Sequence, residues 1–149
     1  MDVTPQVPAW GVASNAEIPN QPDQCGQSSR CRRPRLVDLF CGAGGASAGY
    51  HAAGFDVVGV DITPQPDYPF PFIHADALAV DLAGFDVIVA SPPCQRWCAA
   101  TPTTRRDDHP DLIDPVRQHL QAALATPGGP WAYVIENVPG APLHDPILV

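Results

Sequence analysis

A chain of 149 residues allows at most one ordinary domain, and its formal net charge of -8 argues against tight DNA binding by this chain alone. The five cysteines show no Cys-x-x-Cys spacing, so no metal site is predicted. An odd number of cysteines without a signal peptide favours reduced thiols in a cytoplasmic setting. No apolar run is long enough to predict a membrane span.

The first 34 residues differ in composition from the rest of the chain. They contain five prolines among Gln, Asn and Ser, and they show no apolar periodicity. Such a segment cannot bury enough apolar surface to offset the entropy lost on ordering. We therefore predict a disordered tail over residues 1–34 and one ordered domain over residues 35–149.

Five apolar segments predict strands: RLVDLFC (35–41), DVVGVDI (56–62), FIHADAL (72–78, a short strand running into a loop), DVIVA (86–90) and AYVIENV (132–138). Small residues after the first strand predict a helix that Gly54 ends. A second helix is predicted before the last strand, with Asp114 as N-cap and Pro115 at its first position. Apolar strands alternating with helices predict a Rossmann-like α/β fold, with a mostly parallel sheet covered by helices on both faces.

Three strand ends carry residues suited to an adenosyl group. The first strand is followed by a glycine turn, where a ligand can lie against the backbone: Gly42, Gly44 and Gly45. Asp61 at the end of the second strand can accept hydrogen bonds from ribose hydroxyls, and Asp76 after the third can accept one from an adenine amino group. Ser47 stands where a dinucleotide fingerprint has its third glycine, so that fingerprint is only partly met.

The segment ASPPCQRWC places a cysteine directly after a predicted strand. Two prolines end the strand and hold Cys94 on a stiff loop, at the edge where open α/β sheets carry their chemistry. A cysteine after a strand is most often a small buried apolar residue. The Pro-Pro-Cys-Gln context, together with Glu136 at the end of another strand, favours a nucleophile for Cys94 and leaves Cys41 and Cys98 with the apolar interpretation.

Taken together, the segments DLFCGAGGASAGYHAAGF, VVGVDI, HADAL, SPPCQ and ENV resemble those of the cytosine-C5 DNA methyltransferases. The resemblance covers Leu36 to Val138. It implies an S-adenosylmethionine-dependent enzyme that methylates C5 of a cytosine flipped from DNA, in a bacterial or phage-infected cytoplasm. It also implies a set of residues that contact the cofactor: Phe40, Gly42, Gly44, Gly45, Asp61, Ile62, Asp76 and Pro93. Cys94 would be the nucleophile, and Glu136 with Asn137 would address the target base and brace the loop.

The chemistry of cytosine explains why these residue types are needed. Carbon C5 is a poor nucleophile, but addition of a thiolate at C6 makes the ring an enamine that can attack a methyl donor. A carboxyl at Glu136 beside N3 would draw charge from the ring as the thiolate adds. The polar stretch TPTTRRDDHP, with Arg96 before it, either closes over the flipped nucleotide or forms an ordinary solvent-exposed loop.

The chain also departs from the family pattern. Arg96, Trp97 and Cys98 follow Gln95, where members of the family usually have Phe-Ser. The target-recognition region and returning carboxyl-terminal segment of the family are not found before Val149, so the resemblance implies a partial methyltransferase catalytic domain over residues 35–149. The chain is then a fragment, one part of a split enzyme that needs a partner subunit, or an inactive cofactor-binding remnant. An amino-methyltransferase acting on adenine N6 or cytosine N4 is the alternative enzyme, although its motif has an aromatic residue where Cys94 stands.

Overall fold

The computed structural model describes residues 32–144, which form one five-stranded sheet with helices. All neighbouring strands pair in parallel, in the order β3-β2-β1-β4-β5. The elements in chain order are β1 (Arg35–Leu39), α1 (Gly45–Ala52), β2 (Asp56–Asp61), β3 (Phe72–His74), β4 (Val87–Ala90), a 3₁₀ helix (Thr103–Asp108), α2 (Ile113–Leu124) and β5 (Ala132–Ile135). The predicted Rossmann-like α/β architecture is confirmed. Neither α-helix in this range has the length and hydropathy needed to cross a bilayer.

The two faces of the sheet bury separate apolar clusters, because successive strand residues point to opposite faces. On one face, Val37, Leu39 and Ile88 pack with Val116 and Leu120 of α2 and form the α2-face cluster. The other cluster lies on the α1 face: Leu36, Val57, Val87 and Val89, with Tyr50 and Phe55 packed against them. The two helices therefore cover opposite faces of the sheet. Because all strands are parallel, their carboxyl ends lie along one side of the sheet, here called the carboxyl edge.

The strands are shorter than the sequence predicted. β1 ends at Leu39 because Phe40 has a φ of 62°, in the left-handed region, which no regular strand includes. β3 ends at His74 and β5 at Ile135. The predicted ends of β1 at residue 41 and of β5 at residue 138 are therefore wrong, whereas β3 is a short strand that runs into a loop, as predicted. Asp76 and Glu136 consequently lie just past their strands.

The helix ends show one confirmed and one wrong prediction. α1 ends in a Schellman motif, with Gly54 at φ 100° and its N–H bonded to the His51 carbonyl at 3.0 Å, as the glycine predicted. Asp114 is not an N-cap, because α2 begins at Ile113 and Leu112 occupies the cap position. Asp114 instead pairs with the Arg117 guanidinium within the first turn. The short 3₁₀ helix was not predicted.

Residues 1–31 lie outside the described residues, so the tail predicted over 1–34 stays a prediction for most of its length. Arg32 is described and binds the sheet. Its guanidinium donates to both carboxylate oxygens of Asp86, at 2.7 and 2.8 Å. This contact, with the Arg35 backbone N–H at 2.7 Å, holds the pKa of Asp86 below its ordinary value.

Candidate active site at the carboxyl edge of the sheet

Backbone hydrogen bonds beyond the strands hold the carboxyl edge together. The Ser91 N–H donates to the Leu39 carbonyl at 3.2 Å, which ties the end of β4 to the end of β1. The Glu136 N–H donates to the Ala90 carbonyl at 2.9 Å, which does the same for β5 and β4. The loops that follow these strands therefore start from fixed positions beside one another.

The glycine turn after β1 is joined to the end of β2 through Asp61. One carboxylate oxygen of Asp61 accepts the Gly42 N–H at 3.0 Å, and the other accepts the Thr63 N–H at 2.8 Å. Gly42 and Gly44 have φ of 49° and 89°, values that residues with a Cβ rarely adopt. The turn and the strand-end acid, predicted separately from the sequence, thus form one unit.

Several residues predicted to contact the cofactor face open space. A Cβ added at Gly42 or Gly45 would meet no atom within 4 Å. The Ile62 side chain, directly after β2, is 68% exposed, which is unusual for a large apolar residue. Asp76 is exposed as well, with one oxygen accepting the Leu78 N–H at 2.9 Å. These positions leave room for a ligand beside the turn.

Three other predicted cofactor residues have different surroundings. A Cβ added at Gly44 would lie 2.9 Å from the Tyr68 ring, so its side-chain position is filled by the protein. Phe40 is half-buried and packs against the α2-face cluster. Pro93 is half-buried in the loop after β4. Gly44 has no side chain and the Tyr68 ring fills the space where one would lie, so a ligand can meet Gly44 only through its backbone.

The loop after β4 carries Cys94 as the sequence predicted. The strand ends at Ala90, Pro92 is buried, and the Cys94 side chain is half-buried. The Cys94 carbonyl accepts the N–H groups of Trp97 and Cys98, each at 2.9 Å. Cys94 therefore begins a single helical turn, which fixes its backbone where the loop leaves the sheet.

Asn137 connects this loop to the end of β5. Its side-chain amide donates to the Pro92 carbonyl at 2.8 Å, two residues before Cys94. Its side-chain oxygen accepts the Val138 N–H at 3.0 Å, so both ends of the amide are engaged. The residue predicted to brace the loop thus makes a direct hydrogen bond to it.

Glu136 lies beside Asn137 and points to the α1 face of the sheet. Tyr133 and Ile135 pack against the α2-face cluster, and strand alternation then directs Glu136 to the opposite side. Burial chiefly raises the pKa of Tyr50 in α1, and the charges of Asp38 and Glu136 raise it further. The Glu136 side chain is exposed, so it is free to meet a substrate.

Two of the three arginines considered for nucleotide contact are engaged within the loop. Arg96 donates to Asp107 at 2.9 Å and to two loop carbonyls at 3.3 and 3.5 Å. Arg106 donates to two further carbonyls of the loop, at 3.3 and 3.4 Å. Arg105 is exposed, with Asp108 at 3.7 Å. The observed contacts give Arg96 and Arg106 a role in folding this loop.

Sequence reasoning missed the packing of the segment after β5. Gly140 lies so close to the Trp97 carbonyl that a Cβ there would approach it to 2.9 Å. The buried Arg117 of α2 donates to the Pro142 carbonyl at 2.7 Å. A buried arginine in an amphipathic helix could have signalled such a contact, because arginine is seldom buried without partners.

Alkaline pH should destabilise the fold through two groups under the glycine turn. Burial, followed by nearby carboxylates, raises the pKa of the Cys41 thiol from 9.0 to about 12, and burial raises that of the Tyr68 hydroxyl from 10.0 to about 12. Between about pH 9 and 12 the folded chain keeps protons that the unfolded chain loses. The free energy of unfolding should therefore fall there, by at most about 1.4 kcal/mol per pH unit for each group.

Urea unfolding between pH 8 and 11 measures this decline. The chain contains no lysine, so no lysine side chain titrates in this pH range and contributes to the decline. In Cys41→Ala we expect the decline to begin near pH 10, where Tyr68 takes over, whereas the parent declines from about pH 9. Equal pH profiles for the two proteins would contradict the assignment to Cys41.

Comparison with known proteins identifies the family. The sequence model of the C-5 cytosine-specific DNA methylases matches residues 34–146, which is most of the chain. The chain belongs to the C-5 cytosine-specific DNA methylase family. The resemblance inferred from the motifs is thereby confirmed.

Individual relatives agree with this membership. The Type II methyltransferase M.AquIA of Picosynechococcus is 30% identical over 125 residues, which cover 71% of this chain and 49% of that protein. M.HgiGI of Herpetosiphon aurantiacus is 30% identical over 123 residues, covering 73% of this chain and 94% of that protein. A Burkholderia thailandensis 1,6-didemethyltoxoflavin N1-methyltransferase aligns over 61% of this chain and 40% of its own, with 20% identity and a TM-score of 0.43. The chain spans about half the length of M.AquIA.

S-adenosylmethionine is the cofactor of this methylase family, and the carboxyl edge fits it. The open side of the glycine turn at Gly42 and Gly45 leaves space for a ligand against the backbone, and Asp61 presents a carboxylate next to it. The exposed Ile62 offers an apolar surface suited to an adenine ring. Within residues 32–144, no group of three or more His, Cys, Asp or Glu side chains is arranged to hold a metal ion.

Proposed function

We propose that the chain carries the catalytic centre of a DNA cytosine-C5 methyltransferase, which acts on a flipped cytosine through a covalent adduct with Cys94. The observation that carries the proposal is the hydrogen bond from the Asn137 amide to the Pro92 carbonyl at 2.8 Å. It joins the loop that bears Cys94 to the strand end that bears Glu136. The thiol and carboxyl required for this chemistry thus come from two segments in direct contact.

The Cys94 thiolate would begin the reaction by adding to C6 of the target cytosine. Only a few per cent of an ordinary cysteine is thiolate at neutral pH, so the addition needs help from the ring side. Glu136, exposed next to Asn137, would hydrogen-bond or protonate N3 and so accept the charge that the addition drives into the ring. Carbon C5 becomes nucleophilic as a result. After methylation, a base, for which a water would serve, would take the C5 proton, the C6–S bond would break to release the thiolate, and the proton on N3 would return to Glu136.

The residues at the ends of β1 and β2 would hold the methyl donor. S-adenosylmethionine supplies an electrophilic methyl group on a sulfonium ion. The glycine turn would bind it through backbone groups at Gly42 and Gly45, and Asp61, oriented by its bond from the Gly42 N–H, would receive the ribose hydroxyls. Asp76 would accept a hydrogen bond from the adenine amino group. Fixed positions for donor and base reduce the entropy cost of bringing them together.

A catalytic subunit that needs a second polypeptide segment for DNA recognition is the other candidate. Two observations favour it. The chain spans about half of M.AquIA, and two large apolar side chains are exposed along edge strand β5, Val134 within it at 51% and Trp131 directly before it at 67%. An exposed strand edge with apolar neighbours is a surface that proteins usually cover. The covering segment would be another segment of the same polypeptide or a partner subunit.

Methyl transfer to DNA, followed by identification of the modified nucleoside, tests the first candidate. The full chain is incubated with duplex DNA of random sequence and S-adenosylmethionine carrying a labelled methyl group, and the DNA is then digested to nucleosides. We expect label in 5-methylcytosine. Label in N4-methylcytosine or N6-methyladenine would overturn the proposed chemistry in favour of an amino-methyltransferase.

Cofactor binding measured on the same sample separates the two candidates. Calorimetry with S-adenosylhomocysteine reports binding whether or not methyl transfer occurs. Binding without labelled DNA would contradict autonomous catalysis and support a subunit that lacks its recognition segment. In that case, replacing Trp131 and Val134 with serine should not change cofactor binding, since Trp131 directly precedes edge strand β5 and Val134 lies within it, away from β1 and β2.

A further inference from the structure

A buried chain of polar side chains lies beneath the glycine turn, and the proposed reaction does not use it. The Tyr68 hydroxyl lies 2.7 Å from Ser47 Oγ, and Ser47 Oγ in turn donates to the Asp38 carboxylate. All three residues are buried. Burying a polar group costs free energy unless it is hydrogen-bonded, and these three side chains are hydrogen-bonded to one another where apolar side chains could have packed instead.

The Tyr68 ring occupies the side-chain positions of two glycines. A Cβ at Gly59, in the middle of β2, would lie 2.2 Å from the ring, and a Cβ at Gly44 would lie 2.9 Å from it. Gly44 belongs to the cofactor turn, whereas Gly59 belongs to the sheet. The ring is therefore inserted between the turn and the strand, and neither glycine can be replaced without moving it.

Neighbouring aromatic rings hold Tyr68 in this place. The Phe70 ring meets it edge-on with 5.8 Å between centroids, and the Phe72 ring lies 5.6 Å away. Tyr68 comes from the segment between β2 and β3, so it links that segment to α1 through Ser47 and to the turn through Gly44. The turn is thus supported from below by one side chain with two distinct contacts.

We propose that Tyr68 is a positioning residue, which holds the glycine turn in its cofactor-binding shape through the ring at Gly44 and the hydroxyl at Ser47. The inference rests on the proposed function only in that the turn binds S-adenosylmethionine. Tyr68 need not touch the cofactor itself. Tyr68→Phe removes the hydroxyl contact alone, whereas Gly59→Ala displaces the ring and its hydroxyl together.

Binding of S-adenosylhomocysteine, measured by calorimetry on the full chain, is the first test. We expect Tyr68→Phe to raise Kd about three- to tenfold, the loss that one buried hydrogen bond causes. We expect Gly59→Ala to raise Kd about tenfold or more, because the added methyl group displaces the Tyr68 ring. Ser47→Ala also takes away the donor to the buried Asp38 carboxylate, so it should raise Kd at least as much as Tyr68→Phe, and adding Tyr68→Phe to Ser47→Ala should raise Kd no further.

Two further readouts separate positioning from general stability. In the cofactor-free protein, amide hydrogen exchange at residues 42–47 should accelerate in Tyr68→Phe, while exchange in β4 and β5 stays unchanged. Where methyl transfer is measurable, KM for the cofactor should rise with kcat nearly constant. Tyr50→Phe is the matched control, because Tyr50 lies in the same helix as Ser47 but packs against the α1-face cluster.

The outcomes are distinguishable from failure of the proposed function. A parent chain that does not bind S-adenosylhomocysteine contradicts the function itself. A parent that binds, with Tyr68→Phe binding equally well and exchanging equally slowly, overturns the positioning role. A lower melting temperature in Tyr68→Phe with unchanged Kd and exchange also overturns it, because that result reduces Tyr68 to a packing residue. Tyr68→Phe keeps the test decisive if Gly59→Ala fails to fold.

Discussion

Replacing Cys94 with serine is expected to abolish covalent capture of DNA that contains 5-fluorocytosine. In the proposed mechanism, the Cys94 thiolate adds to C6 and the methyl group is transferred, but fluorine at C5 cannot leave as a proton does, so the protein would remain bound to the base. A serine hydroxyl is not ionised at neutral pH and adds far more slowly. We expect adduct formation to fall by at least about 10³-fold.

The protein is incubated with S-adenosylmethionine and duplex DNA in which many cytosines are replaced by 5-fluorocytosine. The adduct is then measured on a denaturing gel as a protein–DNA band. Cys98→Ser is the matched control, because Cys98 lies one helical turn from Cys94 and its N–H bonds the Cys94 carbonyl at 2.9 Å. It should retain the adduct. Capture that persists in Cys94→Ser, or disappears equally in both variants, would show that the nucleophile is not Cys94.

The sheet could be predicted because its strands are short apolar runs bounded by residues that end them. The run at Val87–Ala90 stops before two prolines, and the run at Asp56–Asp61 stops before a proline-rich segment. Burial of both faces makes such strands continuously apolar, so their parallel pairing could also be inferred. What sequence could not give was their last residue, because the left-handed φ of Phe40 is a property of the folded turn.

The candidate site residues could be proposed from motifs, but the contacts that support them could not. Asn137 and Pro92 are 45 positions apart, and no local pattern shows that an amide from one strand end reaches a carbonyl after another. Tyr68 was missed because its proline-rich surroundings predicted only a loop. One signal was available: Gly59 interrupts a run of valines, and a glycine inside a strand often marks the close approach of another group.

Glu136→Gln is expected to slow methyl transfer about 10²- to 10⁴-fold without weakening cofactor binding. Glutamine preserves the size of the side chain and can still hydrogen-bond N3, but it cannot give N3 a proton as the thiolate adds to C6. The backbone bond from residue 136 to the Ala90 carbonyl does not depend on the side chain, so the strand end should keep its position. The loss should therefore lie in kcat.

Single-turnover transfer of a labelled methyl group measures this rate, and calorimetry with S-adenosylhomocysteine measures cofactor binding in parallel. Asp56→Asn is the matched control, because its exposed carboxyl lies at the start of β2, at the opposite edge of the sheet. It should transfer at the parent rate. If Glu136→Gln also kept the parent rate, charge on the ring would have to be accepted by another group, and the pairing of Cys94 with Glu136 would be wrong. If Glu136→Gln lost cofactor binding as well, Glu136 would act on the shape of the site instead of on the base.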